Sequence, residues 1–187
     1  MLSYQAFSQT SSSFSKYDYL HGKLNANRTW FDVTMYDITL KVNPEQKHIQ
    51  GCNRIFYKVL KPNKVMQLDL HSLIKIDSIV YHHKKISYTR DSSVVLIKLP
   101  NQKKLSLQQI SIYFSGNPLI ARKAPWDGGF VFTQDSMHRP WVGLACQGLG
   151  ASAWLPCKDH NSDEADSVNM ELQVPTGLTG VSNGKLV

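Results

Sequence analysis

Cysteine is scarce in this 187-residue sequence, with only Cys52, Cys146 and Cys157 present. Their number is odd, they show no Cys-x-x-Cys spacing and no His pair stands nearby, so neither a zinc site nor a disulfide framework is implied. They read as buried thiols that behave as small hydrophobes, with a Cys146–Cys157 bridge admissible only in an exported protein. Long apolar runs are also missing. Stretches such as Val94 to Ile97 stop far short of the roughly 18–20 residues that span a bilayer, which argues against a membrane span. No apolar stripe at i, i+3, i+4, i+7 persists long enough to announce an amphipathic helix.

The familiar catalytic signatures are absent too. None of the seven histidines (His21, His48, His71, His82, His83, His138 and His160) has another at i+4, so His-Glu-x-x-His does not occur. Gly-x-Ser-x-Gly, the P-loop and a Gly-x-Gly-x-x-Gly run after a strand are missing as well. No catalytic residue and no metal ligand can therefore be named in this chain. His82 and His83 fall in a candidate strand, where neighbouring side chains point to opposite faces and cannot share an ion.

The 21 basic residues against 14 acidic ones give a net charge of +7. Nucleic-acid binding needs such charge to be clustered. Here Lys and Arg are spread along the chain, and their adjacent pairs, Lys84–Lys85, Lys103–Lys104 and Arg122–Lys123, sit beside strand-like segments as solvated turns do. Residues 1–158 carry +11 and residues 159–187 carry −4, so the acidic excess is local. Asp159, Asp163, Glu164, Asp166 and Glu171 offer oxygen ligands of the kind hard cations prefer, without EF-hand spacing; the plainer expectation is a solvated acidic loop.

What the sequence has in quantity is period-two alternation. Tyr36, Ile38, Leu40 and Val42 alternate with Asp37, Thr39 and Lys41 up to the turn Asn43-Pro44-Glu45, the pattern of a strand with one wet face. Ile55 to Val59 reads as a second strand, closed by Lys61-Pro62-Asn63. Met66, Leu68 and Leu70 alternate around Gln67 and Asp69. Further strands are expected at Ile74–Tyr81, Ile86–Thr89, Val94–Leu99, Ile110–Phe114, Phe130–Phe132 and Val168–Val174. The expected fold is all-β, an antiparallel multi-sheet saddle or sandwich with few or no helices. A chain of this length can bury roughly 70% of its unfolded surface, enough for a core of its own. Residues 1–27 read as a polar, partly ordered leader, since they lack the basic start and apolar block of an intact signal. Asn183-Gly184 between apolar residues predicts a hairpin, and with so few residues after it the chain reads as a piece of a longer polypeptide. Trp126, Phe130, Phe132, Trp141 and Trp154 concentrate aromatic surface in residues 126–154, as either the wall of a ligand groove or core packing.

The segment Cys146-Gln147-Gly148-Leu149-Gly150-Ala151-Ser152-Ala153-Trp154-Leu155-Pro156-Cys157-Lys158-Asp159 resembles one in the zinc aminopeptidases of the aminopeptidase N and leukotriene hydrolase group, where a Gln precedes Pro-Cys-x-Asp by nine residues. Tyr36 to Leu40 with Ile49-Gln50-Gly51 is similar to the opening strand pair of that family. Val174-Pro175 with Val181-Ser182-Asn183-Gly184 is similar to a later strand and hairpin. The likeness covers residues 28–187. It implies a saddle-shaped N-terminal β domain over a catalytic domain farther along the polypeptide, which would hold the zinc and a Glu general base. This chain would bind no metal and be inactive alone.

In the family, the residue matching Gln147 contacts the N-terminal residue of the peptide substrate, which makes Gln147 the one substrate-binding residue carried over. Its amide offers two donors and an acceptor without a competing charge. Ser152 where the family commonly has Arg, and Asp159-His160-Asn161 in place of Asp-Glu-Pro, mark a divergent branch. The implied partners are the catalytic domain of the same polypeptide and peptide N-termini, with no nucleic acid. The alternative reading is a free-standing β-sandwich that binds carbohydrate or protein through residues 126–154. The polar leader favours an exported location, periplasmic or extracellular.

Overall fold

A computed structural model describes residues 16–187, so the first fifteen residues of the expected leader lie outside the described residues. A short helix, α1 (Lys16–Gly22), comes first. Residues 20–27 then lie along the body of the domain: the Leu20 carbonyl accepts from Gln67 Nε2 at 2.9 Å and Asn25 Nδ2 donates to Gln67 Oε1 at 2.7 Å.

The alternation around Ile38 and Leu40 becomes β1 (Phe31–Asn43), which folds back on β2 (His48–Val59). The Asn43 side chain closes the turn by accepting the Gln46 N–H at 3.1 Å, a local bond that Asn favours in turns. Then follow β3 (Val65–Asp69), β4 (Ile74–Tyr81), β5 (Lys84–Lys85), β6 (Tyr88–Asp91), β7 (Val94–Lys98), β8 (Leu107–Gly116), β9 (Gly129–Gln134), β10 (Pro140–Ala145) and β11 (Ser167–Gln173). They form a six-stranded sheet in the order β11-β1-β2-β8-β4-β5, a three-stranded sheet β3-β7-β6 and a two-stranded ribbon β10-β9. The fold is all-β, with several antiparallel sheets, as the alternation predicts.

Ile55 and Tyr57 of β2 and Ile110, Ile112 and Phe114 of β8 share one buried cluster with Met66 and Leu68 of β3 and Val95 and Ile97 of β7. Removing such fully covered side chains from water is the main source of the domain's stability. Trp30, Phe31 and Tyr57 meet edge-on at one end, with ring centroids 5.0–5.8 Å apart, the geometry aromatic quadrupoles prefer.

Three expectations from the sequence need correction. First, the sheets are not antiparallel throughout: β11 runs parallel to β1, from Met35↔Ser167 to Lys41↔Gln173. The preceding segment is anchored at the Phe31 end of β1, where Lys158 Nζ donates to the Phe31 carbonyl at 2.6 Å and the Asp163 carboxylate accepts the Val33 N–H. The chain therefore enters the sheet at that end and runs with β1. Second, His82 and His83 are not strand residues. They form the tight link between β4 and β5, with φ of 46° and 62°, the positive values that a two-residue hairpin turn of matching twist demands. Third, residues 181–187 form no strand pair. Gly180 instead packs closely on Leu172, and Ser182 Oγ lies 3.2 Å from Met170 Sδ.

Candidate functional site

Gln147 is exposed, on the turn Cys146–Gly150 that follows β10. The Leu149 and Gly150 N–H groups both donate to the Cys146 carbonyl at 3.1 Å, closing the turn, and Gly148 within it has φ of 69°. A Cβ at Gly128 would come within 2.8 Å of the Gln147 carbonyl oxygen and 2.6 Å of Leu149 Cδ1. Only glycine allows the chain before β9 to pass so closely beneath the turn.

Beyond the turn the chain dives inward. The 3-10 helix Ala151–Ala153 leads into Trp154, Leu155, Pro156, Cys157 and Lys158, all buried. This path is clamped at three points, from β2 and from β3 with the residues just past it. His71, just past β3, donates its N–H to the Ser152 carbonyl at 2.7 Å. Asp69 and Cys157 exchange both main-chain bonds, at 2.8 and 3.1 Å. Asn53, facing inward from β2, donates through Nδ2 to the Pro156 carbonyl at 2.9 Å. These bonds satisfy main-chain groups that burial would otherwise leave without partners.

A charged network lies under the same segment. Arg28 and Asp69 are both fully buried. The guanidinium meets the carboxylate through one nitrogen: Nη2 donates to Oδ1 at 2.8 Å and lies 2.7 Å from Oδ2 without hydrogen-bond geometry. Arg28 Nη1 donates to the Asp159 carbonyl at 3.1 Å, and Nη2 also reaches the Leu20 carbonyl at 3.5 Å. Burial pushes the Asp69 carboxyl up to about 7, against the opposing pull of Arg28. Loss of solvation outweighs the attraction because the contact is one-sided, without the two-nitrogen fork that makes Arg–carboxylate pairs strong.

Lys158 forms a second buried pair with Asp163, and its ammonium lies 4.4 Å over the Phe31 ring. The solvated acidic loop expected at 159–166 is therefore only partly so. Glu164 and Asp166 are exposed, whereas Asp163 is an internal counter-ion and Asp159 Oδ2 accepts the Ser152 N–H at 3.1 Å. Among the described residues no three His, Cys, Asp or Glu side chains are grouped so as to hold a metal ion.

The aromatic stretch divides between the two roles expected of it. Phe130 and Trp154 are core residues, and Phe132 stacks on Phe130 with centroids 5.6 Å apart. Trp126 and Trp141 are 80% and 61% exposed, so the five rings do not line one groove. The thiols divide as well: all three are free, Cys157 is buried, Cys52 is half-buried and Cys146, expected inside, is exposed beside Gln147. Burial pushes the Cys157 thiol well above its ordinary range, which makes it a poor nucleophile.

Sequence reasoning located Gln147 and its segment, but not Arg28, Asp69 or the inward turn of Asp159. Nothing in the pattern around Arg28 distinguishes it from the dispersed basic residues. Asp69 occupies the position in its strand where alternation predicts a wet face.

Residues 33–187 match the Peptidase M1 N-terminal domain family. No curated protein matches the sequence. Among solved structures, the M1 zinc metallopeptidase from Deinococcus radiodurans superposes with a TM-score of 0.61 at 17% identity, over 88% of this chain and 39% of that one. A form of that enzyme bound to a Tyr-Ser-Ala substrate gives a TM-score of 0.60 at 19% identity over the same shares. Yeast LTA4 hydrolase in complex with bestatin gives 0.63 at 16% identity, over 90% of this chain and 26% of that one. The chain thus spans well under half the length of these similar structures.

Proposed function

Because the chain belongs to the Peptidase M1 N-terminal domain family, we propose that it is the substrate-facing β domain of a zinc aminopeptidase, with Gln147 contacting the N-terminal residue of the peptide. The observation that carries this reading is the placement of Gln147. Its side chain is exposed on a short turn, while the chain just beyond it is buried and bonded to β2 and to the β3 region. An amide presented from a fixed base loses little freedom when it binds a ligand, which is what a contact residue needs.

In this reading the zinc and the groups that activate water belong to a catalytic domain of the same polypeptide. The described residues of this chain do not provide a ligand set for it. The chain's own part is to bind and orient the substrate's N-terminus and to dock against that domain.

The test is kinetic. In the full-length enzyme, Gln147→Ala is expected to raise KM for an aminoacyl-anilide about tenfold, the worth of one or two hydrogen bonds, while the 187-residue chain alone gives no turnover with added zinc. Unchanged kinetics in the variant would demote Gln147 to a surface amide. Turnover by the isolated chain would place catalytic groups within it.

The exposed Trp126 and Trp141 favour a second reading, a free-standing module that binds carbohydrate or protein. Saturable quenching of their fluorescence by glycans or peptides added to the isolated chain would support it.

A further inference from the structure

We infer that Asp159 is a positioning residue for Gln147, setting the direction in which the Gln147 turn is presented. This rests on the reading of Gln147 as a substrate contact. Its geometry is independent of that reading.

The turn has one exit, Gly150, whose φ of 72° and ψ of −178° lie in a region open essentially to glycine. The Asp159 carboxylate fills the space where a side chain on Gly150 would begin, so that a Cβ there would collide with both of its oxygens. The same carboxylate takes the Ser152 N–H at 3.1 Å. It therefore braces the exit at two points, by contact at Gly150 and by a hydrogen bond two residues later.

Asp159 is itself held from behind. Its carbonyl accepts from Arg28 Nη1 at 3.1 Å. A line of bonded groups thus runs from the fully buried Arg28–Asp69 pair through Asp159 to the base of the Gln147 turn. The turn's own closure, from the Leu149 and Gly150 N–H groups to the Cys146 carbonyl, shares Gly150 with that line. Moving Asp159 changes where the turn emerges without touching Gln147.

A double-mutant cycle in the full-length enzyme tests this, with KM and kcat for an aminoacyl-anilide measured for wild type, Asp159→Ala, Gln147→Ala and the pair. Asp159→Ala is expected to raise KM about tenfold, the usual worth of a charge-assisted bond, with kcat changed far less. In the Gln147→Ala background the same change should add less than about twofold, because residues acting through one another are not additive. Asp159→Asn keeps an acceptor for Ser152 and should restore most of the wild-type KM. Gly150→Ala drives a methyl group into the carboxylate from the other side. It should reproduce the KM rise, and it keeps the test open if Asp159→Ala does not fold.

An equal KM rise from Asp159→Ala with and without Gln147 would overturn the positioning role while leaving the Gln147 reading intact. The same holds if Asp159→Asn fails to restore binding. A normal KM for Gln147→Ala would remove the premise, and the proposal with it.

Discussion

The chain on either side of Gln147 is built in opposite ways. Before it, residues 129–145 form a two-stranded ribbon whose register runs from Gly129↔Ala145 to Gln134↔Pro140. Phe130, Phe132 and Val142 of this ribbon reach the core, whereas Trp141 and Leu144 remain largely exposed. After it, residues 152–158 are all buried, and their main chain is bonded to the β3 region and to β2. The ribbon is held by its own ladder, by main-chain bonds from Phe130 to Leu119 and Ala121 and by a few apolar contacts; the later segment is held by buried charge and long-range hydrogen bonds. The precision of an exposed residue can thus come mainly from one side. Gln147 is bonded in place from downstream, with Gly128 packed beneath its turn, and the outer face of the ribbon has surface to spare for meeting something else.

Replacing Arg28 by Ala attacks the clamped side at its root. The Asp69 carboxyl would be left buried without its counter-charge, and the Asp159 carbonyl without its donor. Breaking one partner of a buried pair typically costs about 3–5 kcal/mol, which equilibrium urea denaturation of the chain would measure. A loss below about 1 kcal/mol would mean that the network contributes little to holding the segment.

A pH series sharpens the same side. Asp69 has a folded value of about 7, above the roughly 3.9 of an unfolded Asp. Between those values the folded state binds more protons than the unfolded one. The contribution of Asp69 to stability is therefore greatest in acid, falls as pH rises from about 4 to about 7, and is flat above that. The slope approaches about 1.4 kcal/mol per pH unit at most. Subtracting the stability curve of Asp69→Asn from that of wild type isolates it. A difference that rises with pH in this window would show that Arg28 dominates and holds Asp69 ionised.

The smallest effect is expected on the ribbon. Trp141→Ser removes a side chain that is 61% exposed, and stability should change by no more than about 0.5 kcal/mol. A loss of several kcal/mol by thermal or urea unfolding would erase the contrast between the two sides of Gln147.

Much of this architecture was legible in the residue order because strands report their own geometry. Tyr36 to Val42 alternates, and Ile74 to Tyr81 does so with one change of phase at the bulge between Ile76 and Ser78; both fold as strands with the apolar set turned inward. Gln147 was legible only through a motif of fixed spacing. The limits of local reading show at His82–His83, where turn geometry overrode a strand-like neighbourhood, and at Asn183-Gly184, where the chain packs back on Met170 and Leu172 without pairing. β10 escaped notice because Trp141-Val142-Gly143-Leu144-Ala145 does not alternate.

The clearest case is β3. Its sequence alternates as though Gln67 and Asp69 faced water, yet both are buried, covered by Leu20 to Arg28 and by the segment around Cys157. The residues by themselves determined an all-β chain, its principal turns and the candidate at Gln147, because period-two alternation and turn chemistry act between near neighbours. Tertiary structure alone decided that β11 joins β1 in parallel, that Arg28 and Asp69 meet beneath the candidate site, and that Asp159 turns inward to brace Gly150. Each of these depends on groups 41 to 132 positions apart. Long-range electrostatics and hydrogen bonding are settled by where the sheets place those groups, and no local pattern records it.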